Sequence, residues 1–293
     1  MSTDRHNSHQ NTHQNSNQTA DQSHLNQFNV ALKGWRKHSK MSQLDLALAA
    51  DVSQRHVSWL ETGRSQPSRE MVLRLADAME VPLRDRNQIL NLAGFASLYT
   101  EYDLNEPIME PISSILTDML EHHQPYPAFV LDRYWNIKMK NTAADSLFTL
   151  FGDPAQIWQA IGDDGSHNIA LLTLHPQGLR SFISNSNEVT LQFMRRLKKE
   201  ALESRDPEMM TRYQMLEKCA DLPDNLTNTN IVDTMNLVPL LPLEFSVAQQ
   251  TLKLCSVIST FGTAQDITAN ELRIETFYPA DDATRQFFSQ AKM

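Results

Sequence analysis

Glycine is scarce in this sequence, with 8 glycines in 293 residues, far below the roughly 7 % of an average chain. Neither a GxGxxG nor a GxxxxGK[ST] pattern occurs. The phosphate-cradling loops of dinucleotide-binding and P-loop folds depend on such glycines. A nucleotide-driven enzyme is therefore not expected.

Cysteine is rarer still, with only Cys219 and Cys255. Neither belongs to a CxxC or Cys/His spacing that makes a zinc site. One disulfide between them is possible, but a chain of this size with so few cysteines favours two buried thiols in a reducing cytoplasm. We expect neither a metal nor a cofactor.

Long apolar runs are also absent. No stretch approaches the roughly 18 uncharged apolar residues of a membrane span, and no apolar signal segment follows Met1. The sequence predicts a cytoplasmic protein that neither crosses nor binds a membrane.

Catalytic motifs are missing as well. No serine lies in GxSxG, and the histidines beyond residue 24 have no carboxylate at a motif spacing. The pair Asp163-Asp164 lies in IGDDGS, a sequence typical of a turn. We predict that the chain is not an enzyme, although residues distant in sequence can still assemble a catalytic site.

Charge is distributed unevenly. The net charge is −9, yet residues 25–95 carry ten Lys and Arg against seven Asp and Glu, whereas residues 96–293 carry fifteen against twenty-six. A basic module thus precedes an acidic one. This asymmetry predicts a partner for the first part. On composition alone that partner can be nucleic acid, or a protein bound by a module whose basic residues are only a solvated face.

Residues 1–24 form a polar tail, in which 19 of the 24 residues are Asn, Gln, His, Ser or Thr. Such a segment cannot bury enough apolar surface to offset its conformational entropy, so we predict disorder. Four of its residues are histidines. Metal binding by these histidines is a weaker alternative to a solvated tail.

Five short helices are predicted between residues 25 and 96. Ser42 and Ser53 are expected N-caps, the former with Asp45 in a capping box, and Gly63 ends the third helix. A tight turn joins the second helix to the third, which is the arrangement of a helix-turn-helix domain. The predicted helices after the first apolar stripe are Gln43 to Ala50, Ser53 to Glu61, Arg69 to Met79 and Pro82 to Leu92.

The run SQLDLALAADVSQRHVSWLETGRSQPSREMVLRLADAMEVP resembles the XRE family of phage-repressor-like helix-turn-helix regulators. Asp51 stands where many members have glycine, but aspartate also tolerates positive φ. The resemblance covers about 70 residues, implies a lambda-repressor-like fold and makes double-stranded DNA the expected partner. The matching landmarks are Gln43, Leu46-Ala47, Val52-Ser53, Leu60-Glu61, Gly63-Arg64, Pro67-Ser68 and Leu75-Ala76.

In such a module the N-terminal turn of the third helix faces the base edges. We therefore expect Ser53, Gln54, Arg55 and Ser58 to read the sequence, with Gln54 suited to adenine and Arg55 to guanine. Trp59 has two equal interpretations, contact with a thymine methyl or packing against a neighbouring helix or partner.

Phosphate contacts are expected from three further residues. They are Gln43, Arg64 and Arg69, the last at the N-terminus of the fourth helix, where backbone amides also favour anions.

After a linker over residues 97–110, residues 111–293 combine helices and strands. Ala128 to Leu131 and Trp135 to Met139 predict a hairpin, and three strands are predicted after residue 242. This order predicts an α+β domain with a mainly antiparallel sheet. The basic run Met194 to Ala201 is interpreted as the solvated face of an amphipathic helix rather than a second nucleic-acid patch.

Three phrases in this part, YPAFVLDRYWNIKMKNTAA, NIALLTLHPQGLR and ELRIETFYPADDAT, resemble the ligand-binding domain of MmyB-like transcription regulators. The resemblance implies a PAS-like fold that encloses a pocket for an apolar, fatty-acid-like ligand. Each candidate lining residue can equally belong to an ordinary core. The candidates are Phe129, Trp135, Met139, Phe148, Phe193, Leu254 and Ile258.

Together these features predict a transcription regulator whose C-terminal domain senses a small apolar molecule. A homodimer on a pseudo-palindromic operator is expected, because one short module binds an operator weakly. Two alternatives stay open: a constitutive regulator whose C-terminal domain only dimerises, and an enzyme-like domain that turns over its ligand.

Overall fold

The computed structural model describes residues 27–204, 206–221, 242–247 and 250–290. The predicted tail, residues 1–24, lies outside these ranges. The described chain divides into two units, with the boundary between Tyr102 and Asp103; the short segment Gln265–Ile267 belongs to the first unit.

The first unit contains the five predicted helices. Their number and order confirm the helical fold class of this part. The helices are α1 (27–38), α2 (Gln43–Ala49), α3 (Gln54–Glu61), α4 (Arg69–Ala78) and α5 (Leu83–Leu92).

Serine side chains set three of the helix starts. Ser42 accepts a hydrogen bond from the backbone N–H of Asp45, whose carboxylate accepts one from Ser42 in return. Ser53 and Ser68 cap α3 and α4 in the same way. Asp51, which stands where many family members have glycine, adopts φ +50° in the turn between α2 and α3. This positive φ is one that aspartate tolerates. The local sequence thus determines where α2, α3 and α4 begin.

The core of the first unit is one apolar cluster. Phe28, Leu32 and Trp35 of α1 are almost fully buried in it, and Val57 and Leu60 of α3 are not exposed at all. Because α3 buries these two residues, the rest of its surface is fixed relative to the other helices.

The second unit combines eight α-helices and five strands among its described residues, together with the short 3-10 helices Pro107–Met109 and Leu179–Phe182. Its helices are α6 (Glu110–His122), α7 (Thr142–Thr149), α8 (Pro154–Ala160), α9 (Ile169–Leu174), α10 (Ser186–Glu203), α11 (Pro207–Ala220), α12 (Ile267–Glu271, whose first residue belongs to the first unit) and α13 (Asp282–Gln290). Its strands are β1 (Ala128–Leu131), β2 (Ile137–Lys140), β3 (Leu243–Val247), β4 (Gln250–Ser259) and β5 (Arg273–Pro279).

The five strands form one antiparallel sheet in the order β2-β1-β5-β4-β3. The predicted α+β class with an antiparallel sheet is therefore confirmed. β4 is an internal strand of this sheet, but its side chain Val257 is 44 % exposed, so only one face of β4 is covered.

The two faces of the sheet carry different clusters. Val130 and Ile274 point to one face and pack against Leu116 and Leu120 of α6. Their neighbours Phe129 and Phe277 belong to the larger cluster on the other face, with residues of α7, α9, α10 and α11. Because successive side chains of a strand alternate between faces, β1 and β5 separate the two clusters residue by residue.

Candidate DNA-binding surface and ligand cavity

Helix α3 presents most of its predicted DNA readers to solvent. Ser53, Gln54 and Arg55 are exposed, and Ser58 is partly buried. These side chains lie opposite the buried Val57 and Leu60. The N-terminal turn of α3 is therefore an accessible polar surface of the size that a major groove admits.

Arg55 and Trp59 form a pair on this surface. The guanidinium carbon of Arg55 lies 4.4 Å from the centroid of the Trp59 ring, one helical turn further on. A cation over an indole face is attracted to it, so Trp59 restricts the orientations of Arg55. Both interpretations of Trp59 given above, contact with a thymine methyl and packing against a neighbour, stay predictions.

A buried ion pair holds α3 in place. Arg36 Nε lies 2.6 Å from Glu61 Oε1, and the side-chain exposures are 11 % and 2 %. Arg36 also donates to Met41 O at 2.8 Å. Burial pushes the pKa of Glu61 upward, but hydrogen bonds from Arg36 and Gln43 hold it below its ordinary value. Glu61 is therefore a carboxylate that links α1 and α2 to the end of α3.

Gln43, which is predicted to contact a phosphate, also has a partner inside the domain. Its amide Nε2 donates to Glu61 Oε2 at 2.8 Å, and the same oxygen accepts from Arg36 Nη2 at 3.1 Å. An amide nitrogen has two N–H donors, so the phosphate contact of Gln43 stays a prediction.

Arg64 and Arg69 are both exposed. Arg69 is the first residue of α4, next to its cap Ser68. Among the described residues, neither arginine nor Arg55 has a carboxylate partner. These three cations are thus available to an external anion.

The second unit contains a cavity of about 190 Å³ between the sheet and the helices that cover it. Four of the predicted residues line it: Phe129, Trp135, Phe148 and Phe193. Phe129 stacks between Phe148 and Phe277, with ring centroids 5.6 Å and 5.9 Å away. Eleven of the sixteen lining residues are apolar, and six of these are aromatic.

The other three predicted residues do not line the cavity. Met139 packs on the opposite face of the sheet, against Leu116 and Leu120 of α6. In a regular strand Met139 would share a face with Ile137, two residues earlier, which packs on the cavity side. The structure has a register shift where β1 pairs with β2. Leu254 and Ile258 face the correct side but pack into the surrounding core.

Trp135 has an unusual backbone for a bulky residue, with φ +70°. Its indole N–H donates to Glu200 Oε2 at 3.1 Å. The guanidinium carbons of Arg196 and Arg273 lie 5.0 Å and 4.9 Å from its ring centroid. These contacts compensate a conformation that costs on the order of 1–3 kcal/mol, and they hold the indole against the cavity.

Glu275 is the one buried acid of the cavity wall. It is 8 % exposed and lies on β5 beside Ser256, which also lines the cavity. Burial raises the pKa of Glu275 to about 7, against a hydrogen bond with Ser256 and the charges of Arg196 and Arg273, which lower it. The cavity therefore has a polar position whose charge changes near neutral pH.

Sequence reasoning missed Glu275 and most of its polar neighbours. The available signal was a single acid at an inward position of the apolar strand Arg273–Pro279. Arg196 belongs to the solvated basic face that the sequence predicted, and it is exposed there, but it also lines the cavity. Further lining residues that were not predicted are Leu147, Ile169, Thr173, Leu179, Val189, Gln192, Leu243, Phe245 and Phe277.

Other kinds of site find little support in the described ranges. No three His, Cys, Asp or Glu residues there come together as a metal site, and no helix there has the length and apolarity to cross a membrane. Cys219 and Cys255 are free thiols. They are partly exposed, where the sequence predicted burial.

Replacing Glu275 with glutamine tests the raised pKa. Between pH 4.5 and 7 the folded chain keeps the Glu275 proton while the unfolded chain releases it, so ionisation lowers the free energy of unfolding as the pH rises. Glu275→Gln cannot ionise and so does not lose stability in this way. From pH 4 to pH 8 we expect the free energy of unfolding of the variant to rise, relative to that of the natural chain, by on the order of 3 kcal/mol, measured by urea unfolding.

The control is Glu203→Gln, which removes an exposed carboxylate from the end of α10. Its unfolding free energy relative to the natural chain should change little with pH. If Glu275→Gln differed from the natural chain by the same unfolding free energy at pH 4 and at pH 8, a raised pKa of Glu275 would be contradicted.

Comparison with known families agrees with both parts of the molecule. A helix-turn-helix family model matches residues 32–85, which include α2, α3 and α4. The model of the MmyB-like transcription regulator ligand binding domain matches residues 112–291, which include the sheet and the cavity. No curated protein is similar enough to match the chain. The domains are those of a DNA-binding transcription regulator and not of an enzyme, and the chain belongs to the MmyB-like transcription regulators.

Proposed function

We propose that this regulator binds a pseudo-palindromic operator as a homodimer and changes its DNA affinity when a small apolar ligand occupies the aromatic cavity. The cavity of about 190 Å³ is the observation on which the proposal depends. A C-terminal domain that served only for dimerisation would need no such space, since protein cores are otherwise close-packed.

Sequence reading is assigned to the exposed turn of α3. Gln54 has the amide that pairs with adenine, and Arg55 has the guanidinium that pairs with guanine. Trp59 supports Arg55 at 4.4 Å, which reduces the entropy that Arg55 loses on binding. Arg64 and Arg69, both exposed, are assigned to the phosphates on either side.

The apolar ligand is inferred from the composition of the cavity wall. The ring of Phe129 contacts those of Phe148 and Phe277, and the ring centroid of Trp135 lies 4.8 Å from that of Phe193. Aromatic walls bind apolar molecules by burying their surface and by edge-to-face contacts. A strongly hydrated ligand would lose more solvation here than it gained.

Homodimerisation is inferred from an apolar stripe at the start of the second unit. Ile115 and Met119 are 50 % and 38 % exposed on one side of α6, and Ile108, 60 % exposed, lies in the 3-10 helix just before it. The adjacent side of α6, with Leu116 and Leu120, is covered by the sheet. We assign a second copy of the chain to this apolar stripe. An operator with two half-sites requires two copies, and a twofold axis brings the same surface of both copies together.

Ligand control then follows from linkage. A ligand changes DNA affinity only by the difference between its affinities for the DNA-competent and the DNA-incompetent states. A dimer offers such states, because the spacing of its two α3 helices must fit the half-site spacing.

Replacing Arg55 with alanine tests the reading surface. An operator is first selected from random duplexes with the full chain, and binding is then measured by fluorescence anisotropy over a salt series. Loss of one bidentate base contact costs about 1–3 kcal/mol, so we expect the variant to bind about 10- to 100-fold more weakly. Trp59→Ala should weaken binding less, by a factor of about 2 to 5.

Arg285→Ala is the matched control, because it removes one exposed arginine from the second unit. It should leave operator affinity nearly unchanged. Equal binding by Arg55→Ala and the natural chain, or binding that does not fall with salt, would contradict the assignment.

Filling the cavity tests ligand binding. Val189 lines the cavity from α10, and Val189→Phe should exclude molecules that the natural chain retains on purification. Solvent extracts of both proteins are compared by mass spectrometry. Leu202→Phe is the control, because Leu202 is 60 % exposed on the same helix. Retention of the same molecules by Val189→Phe would show that they do not occupy the cavity.

Placing a charge in the apolar stripe tests dimerisation. Ile115→Glu should convert the dimer to a monomer in sedimentation velocity experiments, because two copies of a carboxylate would be buried together at the twofold axis. Thr117→Glu, at an exposed position on another side of α6, should leave the dimer intact. A natural chain that sediments as a monomer at all concentrations would contradict the proposal.

A further inference from the structure

We infer that Glu275 anchors the ligand, and that the cavity takes an uncharged molecule with an apolar body and one hydrogen-bond donor, a hydroxyl or an amide N–H. The donor gives its hydrogen to the Glu275 carboxylate. This inference rests on the proposed ligand-sensing function and specifies the chemical class of the ligand.

The position of Glu275 in the sheet is the first support. Its neighbours across the strands are Phe129 on β1 and Ile258 on β4, and Phe277 follows two residues later on the same face. An apolar side chain at this position would continue the core without desolvating a carboxyl. A buried acid that is costly for folding and faces a cavity is the usual sign of a functional group.

The carboxylate of Glu275 can accept further hydrogen bonds from a ligand. Its hydrogen-bonding neighbour is Ser256, and among the described residues it forms no ion pair. A carboxylate offers about four acceptor positions. One hydroxyl therefore leaves acceptor positions of Glu275 available to a donor in the cavity.

The nearby arginines are engaged elsewhere. Arg196 Nε donates to Glu200 Oε1 at 2.9 Å, and Arg273 Nη1 donates to Glu200 Oε2 at 2.8 Å. Both guanidinium groups also lie beside the ring of Trp135. They stabilise the charge of Glu275 from a distance and do not occupy its hydrogen-bonding positions.

Charge balance determines the class of head group. At pH 8, above the pKa of about 7 to which burial raises Glu275, two arginines, Arg196 and Arg273, accompany two charged acids, Glu200 and Glu275, at this end of the cavity. A carboxylate ligand would bring one negative charge without a partner, and an amine would bring one positive charge without a partner. An uncharged donor is the head group that leaves the balance intact.

Size limits the apolar body. An engineered apolar protein cavity of roughly 150 Å³ holds benzene, and this cavity measures about 190 Å³. A ring with one or two short substituents fits that space. Substituted phenols therefore serve as probes.

The experiment compares two isomers, 4-ethylphenol and 4-methylanisole, by titration calorimetry on the full chain at pH 8. They have the same atoms, but only the phenol donates a hydrogen bond. We expect the natural chain to bind the phenol about tenfold more tightly, as one hydrogen bond to a charged acceptor provides. The anionic 4-methylbenzoate and the cationic 4-methylbenzylamine should bind more weakly than the phenol.

Two variants locate the effect at Glu275. Glu275→Gln keeps a carbonyl acceptor and should keep the preference for the phenol. Glu275→Leu has no acceptor and should bind both isomers equally. Thermal unfolding of both variants checks that they are folded, and the comparison of the isomers on the natural chain does not depend on either variant.

The outcomes separate this inference from the proposed function. Equal binding of the isomers by the natural chain, or tighter binding of a charged probe, would overturn the inference and leave an apolar ligand cavity in place. A phenol preference that survives in Glu275→Leu would also overturn it. Failure of all four probes to bind would count against the cavity as a ligand site, and so against both.

Discussion

The carboxylate of Glu200 connects three elements around the cavity, and the shape of the cavity depends on it. It accepts hydrogen bonds from Trp135 in the hairpin turn, Arg196 on its own helix and Arg273 on β5. Without these bonds the indole would lose the contacts that offset its left-handed backbone. The two guanidinium groups would also lose the anion that neutralises them. A single acid thus keeps an aromatic wall, the largely buried Arg273 and the more exposed Arg196 in one arrangement.

Glu61 has the corresponding role in the first unit. It accepts from Arg36 and Gln43, and it lies at the end of the helix that carries Arg55. Breaking a buried pair of this kind costs about 3–5 kcal/mol, because one charge is left without a partner. Both functional surfaces are therefore positioned by an acid that does not itself face the DNA or the ligand. Glu275 differs from both, since it faces the cavity and has no ion-pair partner among the described residues.

The sequence predicted local features well and long-range ones poorly. The caps Ser42 and Ser53 and the turn residue Asp51 were predictable because their signals lie within four residues. Phe129 was a candidate and lines the cavity, although the four apolar residues of β1 do not themselves show which side faces it. Met139 could not be placed, because a register shift between strands leaves no trace in the alternation of one of them. The basic run of α10 looked solvated, and only the folded chain brings Arg196 beside Trp135.

Coupling between ligand and DNA is reciprocal, and this constrains how strong the sensing can be. If the ligand changes operator affinity by some factor, the operator changes ligand affinity by the same factor. A cavity of about 190 Å³ buries a small molecule, whose total binding energy is limited to roughly 1.5 kcal/mol for each non-hydrogen atom at best. The coupling can use only the part of this energy that differs between the two states. The polar contact at Glu275 suits that purpose, because a hydrogen bond depends more steeply on geometry than apolar contact does.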